Sequence, residues 1–435
     1  MKITFIGTGY VGLVSGVMMS HLGHDVVCLD IDSNKIQNLK EGKLPIFEPE
    51  LDNYINKYAN SSRLQFIDNY DEKLRDSECV FITVGTPPKD DGDADLKWVF
   101  EAINSLCNIV SPECIFVIKS TVPPGTCLEI QDFLRKNNYN NEVVSNPEFL
   151  REGSAISDFL EPDRIVIGAN SEHAFSIMRK CYKKLQDQGI PIVETDLRTS
   201  ELIKYASNTF LANKIAFINE MADLCEIVGA DIAKLSEGVG LDKRIGKKFL
   251  NPGPGFGGSC FPKDILALQK LSKKVNSAFL VLDAIIKSNT NRPQNLMKKI
   301  TSMLGGSLKG KKLAVLGLTY KAGTDDIRSS PSIELIKYLR ENEADIVAFD
   351  PEGMMNAPKY FDNLLCANSA IEAINDSDAI IIITEWDEFK KIDYAHAKTI
   401  MKNPVIIDLR NILASNEIKK LGFEYYSIGR KHEKK

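Results

Sequence analysis

The sequence predicts two doubly wound α/β domains joined by a long central helix and a helical linker domain. Three observations predict it. Short β-rich runs alternate with helical patterns through the first third of the chain, the signature of βαβ units on a parallel sheet. A second alternation of the same kind begins at Lys312. Between them, from about Leu197 to Val228, runs a stretch with few breakers and apolar residues at helical spacing. The expected boundaries are 1–196 for a Rossmann-like dinucleotide domain, 197–305 for the central helical domain and 306–435 for a second Rossmann-like domain.

In the first domain Lys2–Ile6, Asp25–Leu29, Cys79–Val84, Cys114–Ile118 and Glu142–Val144 read as buried strands with helices between them, followed by strands at Ile165–Gly168 and Ile190–Val193. In the long helix Leu202, Tyr205, Ala206, Phe210, Ile215 and Ile218 supply the apolar positions, and Gly229 reads as the stop. A second helical block, Lys263–Met303, is expected to break at Pro293, and Gly305-Gly306-Ser307 reads as a linker. The last domain has strands at Lys312–Leu316, Asp345–Phe349, Ala379–Ile383 and Val405–Ile407 and a helix at Ser332–Glu343.

Composition excludes several classes. The 435 residues are 43% hydrophobic and 26% charged, ordinary for a globular protein. A net charge of -5 gives no support for nucleic acid or an anionic membrane as partner. No apolar run approaches a membrane span. The chain opens at once on the strand-like Ile3–Ile6, so no signal peptide is expected. The basic tail (Arg430, Lys431, Lys434, Lys435) reads as a solvated end. Nine irregularly spaced cysteines without Cys-x-x-Cys, and five histidines without metal-ligand pairing, argue against disulfides and a metal and fit a reducing cytoplasm.

Gly7-Thr8-Gly9-Tyr10-Val11-Gly12 follows the first strand and opens a helix. The glycines permit a tight turn, close approach of a pyrophosphate and helix–strand packing, and the helix N-terminus presents free N–H groups to that anion. Asp30 ends the second strand 18 residues after Gly12, where a carboxylate suits ribose hydroxyls and repels a 2′-phosphate. NAD is therefore favoured over NADP, although Lys35 can blunt the repulsion.

The second motif is the glycine-rich run Pro252-Gly253-Pro254-Gly255-Phe256-Gly257-Gly258-Ser259-Cys260, followed by Phe261-Pro262-Lys263-Asp264. Ser259 or Cys260 can occupy the N-cap region of a helix, and Pro262 suits its first turn. A thiol there feels the positive end of the helix, and Lys263 adds to it, both favouring thiolate. The other eight cysteines read as packing residues. A hydride acceptor and a thiol together imply an alcohol taken through a captured aldehyde to an acid.

Several widely spaced segments in order then carry a family likeness: Gly7–Gly12, Thr83-Val84-Gly85-Thr86-Pro87, Lys119-Ser120-Thr121-Val122, Asn146-Pro147-Glu148-Phe149-Leu150-Arg151-Glu152-Gly153, Lys204 with Asn208, the Cys260 loop, and Tyr320-Lys321 with Arg328. Over nearly its full length the chain resembles the nucleotide-sugar dehydrogenases of the UDP-glucose/GDP-mannose dehydrogenase family, and its cysteine loop looks most like the UDP-glucose branch. The resemblance implies NAD contacts from Gly7, Gly9, Tyr10, Val11, Gly12, Asp30, Lys35, Thr86, Thr121, Glu152, Lys263 and Arg328. It implies a UDP-glucose site built from Glu148, Phe149, Leu150, Arg151, Glu152, Lys204, Asn208, Phe249, Leu250, Asn251, Pro252, Gly253, Gly257 and Lys321, with Arg244 reaching a neighbouring subunit's substrate. The implied catalytic set is Cys260, Lys204, Asp264, Glu148, Thr121 and Asn208.

Residue chemistry runs beside the resemblance. Lys204 and Asn208 lie four apart and so share a helix face, where they can stabilise an oxyanion or simply meet solvent. Asp264 can orient a water or Lys204 near the thiol, or only complement the helix dipole. Glu148 can assist hydrolysis of a thioester or form a loop salt bridge. Val315-Leu316-Gly317 lacks a dinucleotide turn, so Lys321 and Arg328 are expected to meet phosphates rather than a second NAD. A homodimer through the long helix is expected from its apolarity on more than one face. Competing readings are the same chemistry on GDP-mannose or a UDP-N-acetylhexosamine, a two-electron hydroxyacid-type dehydrogenase, and a non-catalytic nucleotide-sugar sensor.

Overall fold

The computed structural model describes residues 1–59, 61–89 and 92–431; Lys434 and Lys435 of the basic tail lie outside them. Two compact units emerge, one of residues 1–207 with 266–276, the other of 208–265 with 277–435.

The first unit is built on eight strands: β1 (Lys2–Ile6), β2 (Asp25–Leu29), β3 (Leu64–Ile67), β4 (Cys79–Ile82), β5 (Ile115–Ile118), β6 (Val143–Ser145), β7 (Ile165–Gly168) and β8 (Ile192–Thr195). Their order in the sheet is β3-β2-β1-β4-β5-β6-β7-β8. Strands buried on both faces need near-continuous apolar runs, and Ile3–Ile6, Cys79–Ile82 and Ile115–Ile118 supply them. Phe5 and Phe81 stack at 4.7 Å on one face of the sheet. The helix Tyr10–His21 is buried over almost its whole length against β1 and β2.

One pairing departs from the expected parallel sheet. β6 and β7 run antiparallel, meeting through Ser145 and Gly168. The connection between them carries only a six-residue helix, Ala155–Leu160, and the preceding loop, 146–154, leaves from the C-terminal end of β6. β3 was not expected at all; four residues with one polar position are too short a signal to separate from a loop.

The second unit holds a six-stranded, all-parallel sheet: β9 (Lys312–Leu316), β10 (Asp345–Phe349), β11 (Leu365–Cys366), β12 (Ala379–Ile382), β13 (Val405–Asp408) and β14 (Glu424–Ser427), in the order β11-β10-β9-β12-β13-β14. β11 and β14 escaped the sequence reading. β11 has two residues, and β14 buries tyrosines 425 and 426 rather than an aliphatic run.

The long helix spans Leu197–Val228, and Gly229 stops it at φ +80°, its N–H returned to the Cys225 carbonyl. The expected break at Pro293 is absent. The chain breaks instead between the helices Phe261–Lys274 and Leu280–Met303, with Asn276 in the left-handed region, and the second helix runs through Pro293. Proline costs a helix interior roughly 3 kcal/mol, and the buried face of Leu282, Ile285, Leu296, Met297 and Ile300 offsets it. Arg430 is not a free end either. It pairs with Asp231 at 3.2 Å beside a backbone bridge between the same two residues. Among the described residues no helix is long and apolar enough to cross a membrane.

Gly12 and Gly9 make a testable contrast. A Cβ on Gly12 would lie 1.9 Å from the Gly7 carbonyl oxygen, whereas one on Gly9 would meet nothing within 4 Å. Gly12→Ala is expected to lose roughly 1–3 kcal/mol to overpacking, seen as earlier thermal unfolding in calorimetry. Gly9→Ala should melt with the unmodified protein.

Candidate active site

The fingerprint turn joins β1 to its helix. Gly7 sits at φ +97°, which favours glycine, with a Cβ there only 3.1 Å from the Thr83 backbone, and Gly9 precedes the first helical residue, Tyr10. The open space at Gly9 and the unpaired N–H groups of a twelve-residue helix suit a pyrophosphate, so this cradle fits NAD. Val11 lies in the first turn. Asp30 follows β2; its carboxylate accepts Thr8 N–H, Thr8 Oγ1 and Lys35 Nζ, each at 2.8 Å. Burial pushes this carboxyl up, but Lys35 and the Thr8 and Asp32 hydrogen bonds bring it below the usual value, so it stays ionised. Thr86, after β4, donates to the Thr121 carbonyl after β5 at 2.9 Å. The Tyr10 hydroxyl bonds Glu48, and both accept from Gly153 N–H, at 2.7 Å each, tying the helix start to the loop after β6.

That loop delivers Glu148. The carboxylate is buried, takes Lys204 Nζ at 2.9 Å and accepts Leu150 N–H at 2.6 Å. Burial alone would raise its pKa; the Lys204 charge and hydrogen bond, the Leu150 N–H and the charge on Lys119 hold it below the ordinary carboxylate value. Lys204 and Glu148 each keep only 5% side-chain exposure, so neither the solvated helix face nor the ordinary surface salt bridge describes them. Phe149 has the Arg164 guanidinium 3.5 Å and Lys204 Nζ 5.3 Å from its ring centre. Arg151 is committed to Asp158 through two guanidinium nitrogens. Lys119, Asn146, Tyr182 and Arg164 carry this arrangement and were not singled out as site residues, because nothing in their spacing announces that they converge.

In the second unit Cys260 caps the helix Phe261–Lys274, its carbonyl accepting Asp264 N–H at 2.9 Å, with Pro262 in the first turn. Its thiol is exposed and has Ser259 Oγ at 3.6 Å. Seven of the other cysteines are buried as expected; Cys366 is not, because two-residue β11 at the sheet edge covers it on one side only. Asp264 is buried; Asn208 Nδ2 donates to one oxygen at 2.7 Å and Lys263 Nζ to the other at 2.8 Å. Lys263 is thus ion-paired to Asp264.

The cysteine loop is clamped along its length. A Cβ on Gly257 would lie 2.2 Å from the Ser329 carbonyl oxygen, and Gly258 N–H donates to the Arg328 carbonyl at 2.8 Å. Asn289 brackets Phe256 by accepting its N–H at 2.9 Å and donating to its carbonyl at 3.1 Å. Gly253 N–H meets Asn219 Oδ1 at 2.8 Å and its carbonyl meets Arg292 Nε at 3.1 Å. Arg292 is buried and ion-paired to Asp223 at 2.7 Å. Asn219, Asp223, Asn289 and Arg292 escaped the sequence reading, although their spacings of four and three mark two polar helix faces. Phe249 adopts φ +66°; Leu250, Pro252 and Gly253 are buried and Asn251 is exposed. Lys321 Nζ lies 5.6 Å from the Tyr320 ring centre, and Arg328 holds Asp326 with two nitrogens at 2.8 Å. Arg244, exposed, grips Asp242 at 2.6 Å.

β9 leads to a loop, not to a dinucleotide turn. Asp350, after β10, accepts Leu318 and Thr319 N–H groups, Thr319 Oγ1 and Trp386 Nε1, and is fully buried. That acid closes the loop on itself. Among the described residues no group of three histidine, cysteine, aspartate or glutamate side chains is placed to hold a metal ion.

Comparison with known proteins matches three family models along the chain. Residues 1–209, 198–291 and 314–415 match, respectively, the NAD-binding, central and UDP-binding domains of the UDP-glucose/GDP-mannose dehydrogenase family. The chain is 55% identical over 433 residues to a UDP-glucose 6-dehydrogenase of Rickettsia bellii, covering 99% of this chain and 100% of the relative. A relative of the same description from Rhizobium meliloti is 49% identical over 435 residues, with 99% and 100% covered. A solved UDP-glucose dehydrogenase from Pyrobaculum islandicum superposes with a TM-score of 0.90 at 35% identity, over 98% of this chain and 97% of that one.

The buried Glu148–Lys204 pair sets a pH-dependent expectation. Glu148 is held below its unfolded value, so its stabilisation is present above that value and lost as pH falls through the folded one. Lys204→Met leaves a buried carboxylate without its partner, costing about 3–5 kcal/mol near neutrality. Burial then raises the carboxyl, which takes up a proton as pH falls. The variant's deficit in denaturant unfolding should therefore be larger near pH 8 than near pH 5.

Proposed function

Since the chain belongs to the UDP-glucose/GDP-mannose dehydrogenase family, we propose that it oxidises UDP-glucose at C6 to UDP-glucuronate in two steps through a thioester on Cys260. It is an NAD-dependent oxidoreductase. The observation that carries the two-step reading is Cys260, an exposed thiol at the N-terminus of a fourteen-residue helix, in a loop where a Cβ on Gly257 would meet the Ser329 carbonyl and one on Gly258 the Tyr320 ring.

When bound, one NAD would supply the hydride acceptor for the first oxidation, and a second NAD, taken up after the first leaves as NADH, that for the second. Thr121 and Asp264 orient the water that takes the C6 hydroxyl proton as hydride leaves. The Cys260 thiolate then adds to the aldehyde carbon, and the resulting thiohemiacetal loses its second hydride to become a thioester. Lys204 and Asn208, one turn apart on the long helix, stabilise the negative oxygen in these steps. Glu148, ionised and buried, takes a proton from the water that attacks the thioester, and the acid leaves as the thiol re-forms. Gly7, Gly9, Gly12, Asp30, Thr86 and Arg328 serve the cofactor; Phe149, Leu150, Phe249, Gly253, Gly257 and Lys321 serve the sugar nucleotide. Residues 197–305 act as the helical domain that carries this chemistry.

The enzyme works as a homodimer. Phe210, Phe217 and Leu224 lie exposed at intervals of seven along the long helix, and Ile227, Val228, Leu241 and Ile245 are exposed with them. Lys214 Nζ fixes the Ile245 carbonyl at 3.0 Å, so the loop carrying Arg244 stands beside the helix. A second copy covers this stripe and brings Arg244 toward its substrate. Nine free cysteines suit a reducing cytoplasm. The product, an activated acidic sugar, is the form that polysaccharide assembly consumes.

Two outcomes test this reading. The enzyme should release two NADH per UDP-glucose. Cys260→Ser should still bind NAD but lose steady turnover or accumulate a sugar adduct, visible as added mass on the peptide holding residue 260. Normal acid formation by that variant at two NADH per product would overturn the covalent route. For the dimer, Phe217→Glu with Leu224→Glu should give a monomer in analytical ultracentrifugation at micromolar concentration.

A further inference from the structure

We infer that Lys119 is a positioning residue for the hydrolytic step: its buried ammonium anchors, through Asn146, the loop that carries Glu148, and brings a fixed positive charge to that loop. The inference rests on the reading of Glu148 as the base of that step.

The anchoring is visible in the hydrogen bonds. Lys119 follows β5 directly, and its N–H donates to the Ile82 carbonyl at 3.0 Å, so the sheet fixes where its side chain begins. Lys119, Asn146 and Tyr182 are all buried. Lys119 Nζ donates to Asn146 Oδ1 at 3.2 Å and to the Tyr182 hydroxyl at 3.5 Å, and that hydroxyl donates to the same Asn146 oxygen at 2.6 Å. Asn146 Nδ2 donates to the Val166 carbonyl and its N–H to the Ile118 carbonyl. Asn146 is therefore held on every side, and only Pro147, with its fixed φ, separates it from Glu148.

The charge needs its own explanation. Among the described residues, Lys119 Nζ makes no ion pair. An ammonium buried without a direct counter-ion is costly, and a methionine would fill the same space without that penalty. The charges that act on it are Glu148 and Lys204; Tyr182 also faces it, with Cys79 and Cys181 beyond that ring. Burial lowers its pKa to about 8, with Glu148 opposing and Lys204 assisting, so it remains mostly protonated at neutral pH. Glu148 thus feels two cations. Lys204 is the one whose charge a developing oxyanion draws on; Lys119 stays available to Glu148 throughout.

Lys119 is fully charged wherever Glu148 titrates, so its removal acts on the acid limb of hydrolysis. The experiment follows decay of the covalent sugar–enzyme adduct in single turnovers across pH for Lys119→Met, Asn146→Asp and Glu148→Gln. Lys119→Met removes the charge. Asn146→Asp keeps the shape of the anchor, places a carboxylate against the ammonium and decides the matter if Lys119→Met does not fold. In Lys119→Met and Asn146→Asp, the midpoint of the acid limb should move up by about one pH unit, about a tenfold slower decay on that limb, with KM for the sugar nucleotide unchanged. A purely structural role would slow decay at every pH without moving the limb, and that result overturns the inference. Wild-type decay in Glu148→Gln would instead remove the reading of Glu148. Loss of decay there with an unmoved limb in the other two overturns the role of Lys119 alone.

Discussion

Two hydrogen bonds made by one helix hold two buried acids of this protein in place. Lys204 donates to Glu148 and Asn208 donates to Asp264, and both carboxylates are buried. A carboxylate removed from water either finds a cation and donors or takes up a proton. Both have found such partners: Glu148 an ammonium, Asp264 an amide and an ammonium. Residues four apart on a continuous helix keep such partners in place, since the backbone fixes their separation whatever the side chains around them do. The remaining supports serve the same end: Leu150 N–H and Lys119 for one acid, Lys263 for the other.

Glycine is used twice for the same physical purpose, closing a gap that any Cβ would block. At Gly12 the first helix meets the turn after β1, and at Gly257 the cysteine loop meets the backbone of Ser329. In the first case the contact fixes the start of the helix Tyr10–His21 against the turn. In the second it holds the thiol loop in place, with Asn289, Asn219 and buried Arg292, paired to half-buried Asp223, gripping the backbone further along. Such placement lowers the entropy cost of holding the thiol in one position.

The two sheets share a plan and diverge in the acid after their second strand. Asp30 is held by Thr8 and Lys35 beside a turn that stays open at Gly9. Asp350 spends its hydrogen bonds on Leu318, Thr319 and Trp386 and is sealed from solvent. The same residue type at the same topological place thus lies beside an open turn in one unit and closes a loop in the other.

Local signals alone determined much of this protein. The apolar runs of β1, β4, β5, β9 and β12, the Gly7–Gly12 turn, the extent of the long helix and its stop at Gly229, and the cysteine at a helix start are short-range features that period and turn chemistry reveal. Tertiary structure alone decided the rest. Pro293 lies within a helix because burial outweighs the local penalty, β11 and β14 exist because a neighbouring strand supplies their hydrogen bonds, and Cys366 is exposed because its strand is an edge. The burial of Lys204 and Glu148, and the gathering of Lys119, Asn146 and Tyr182, depend on residues 27 to 63 positions apart meeting in space. A one-dimensional pattern shows which face a side chain occupies, but the dielectric it experiences is set by what folds over it.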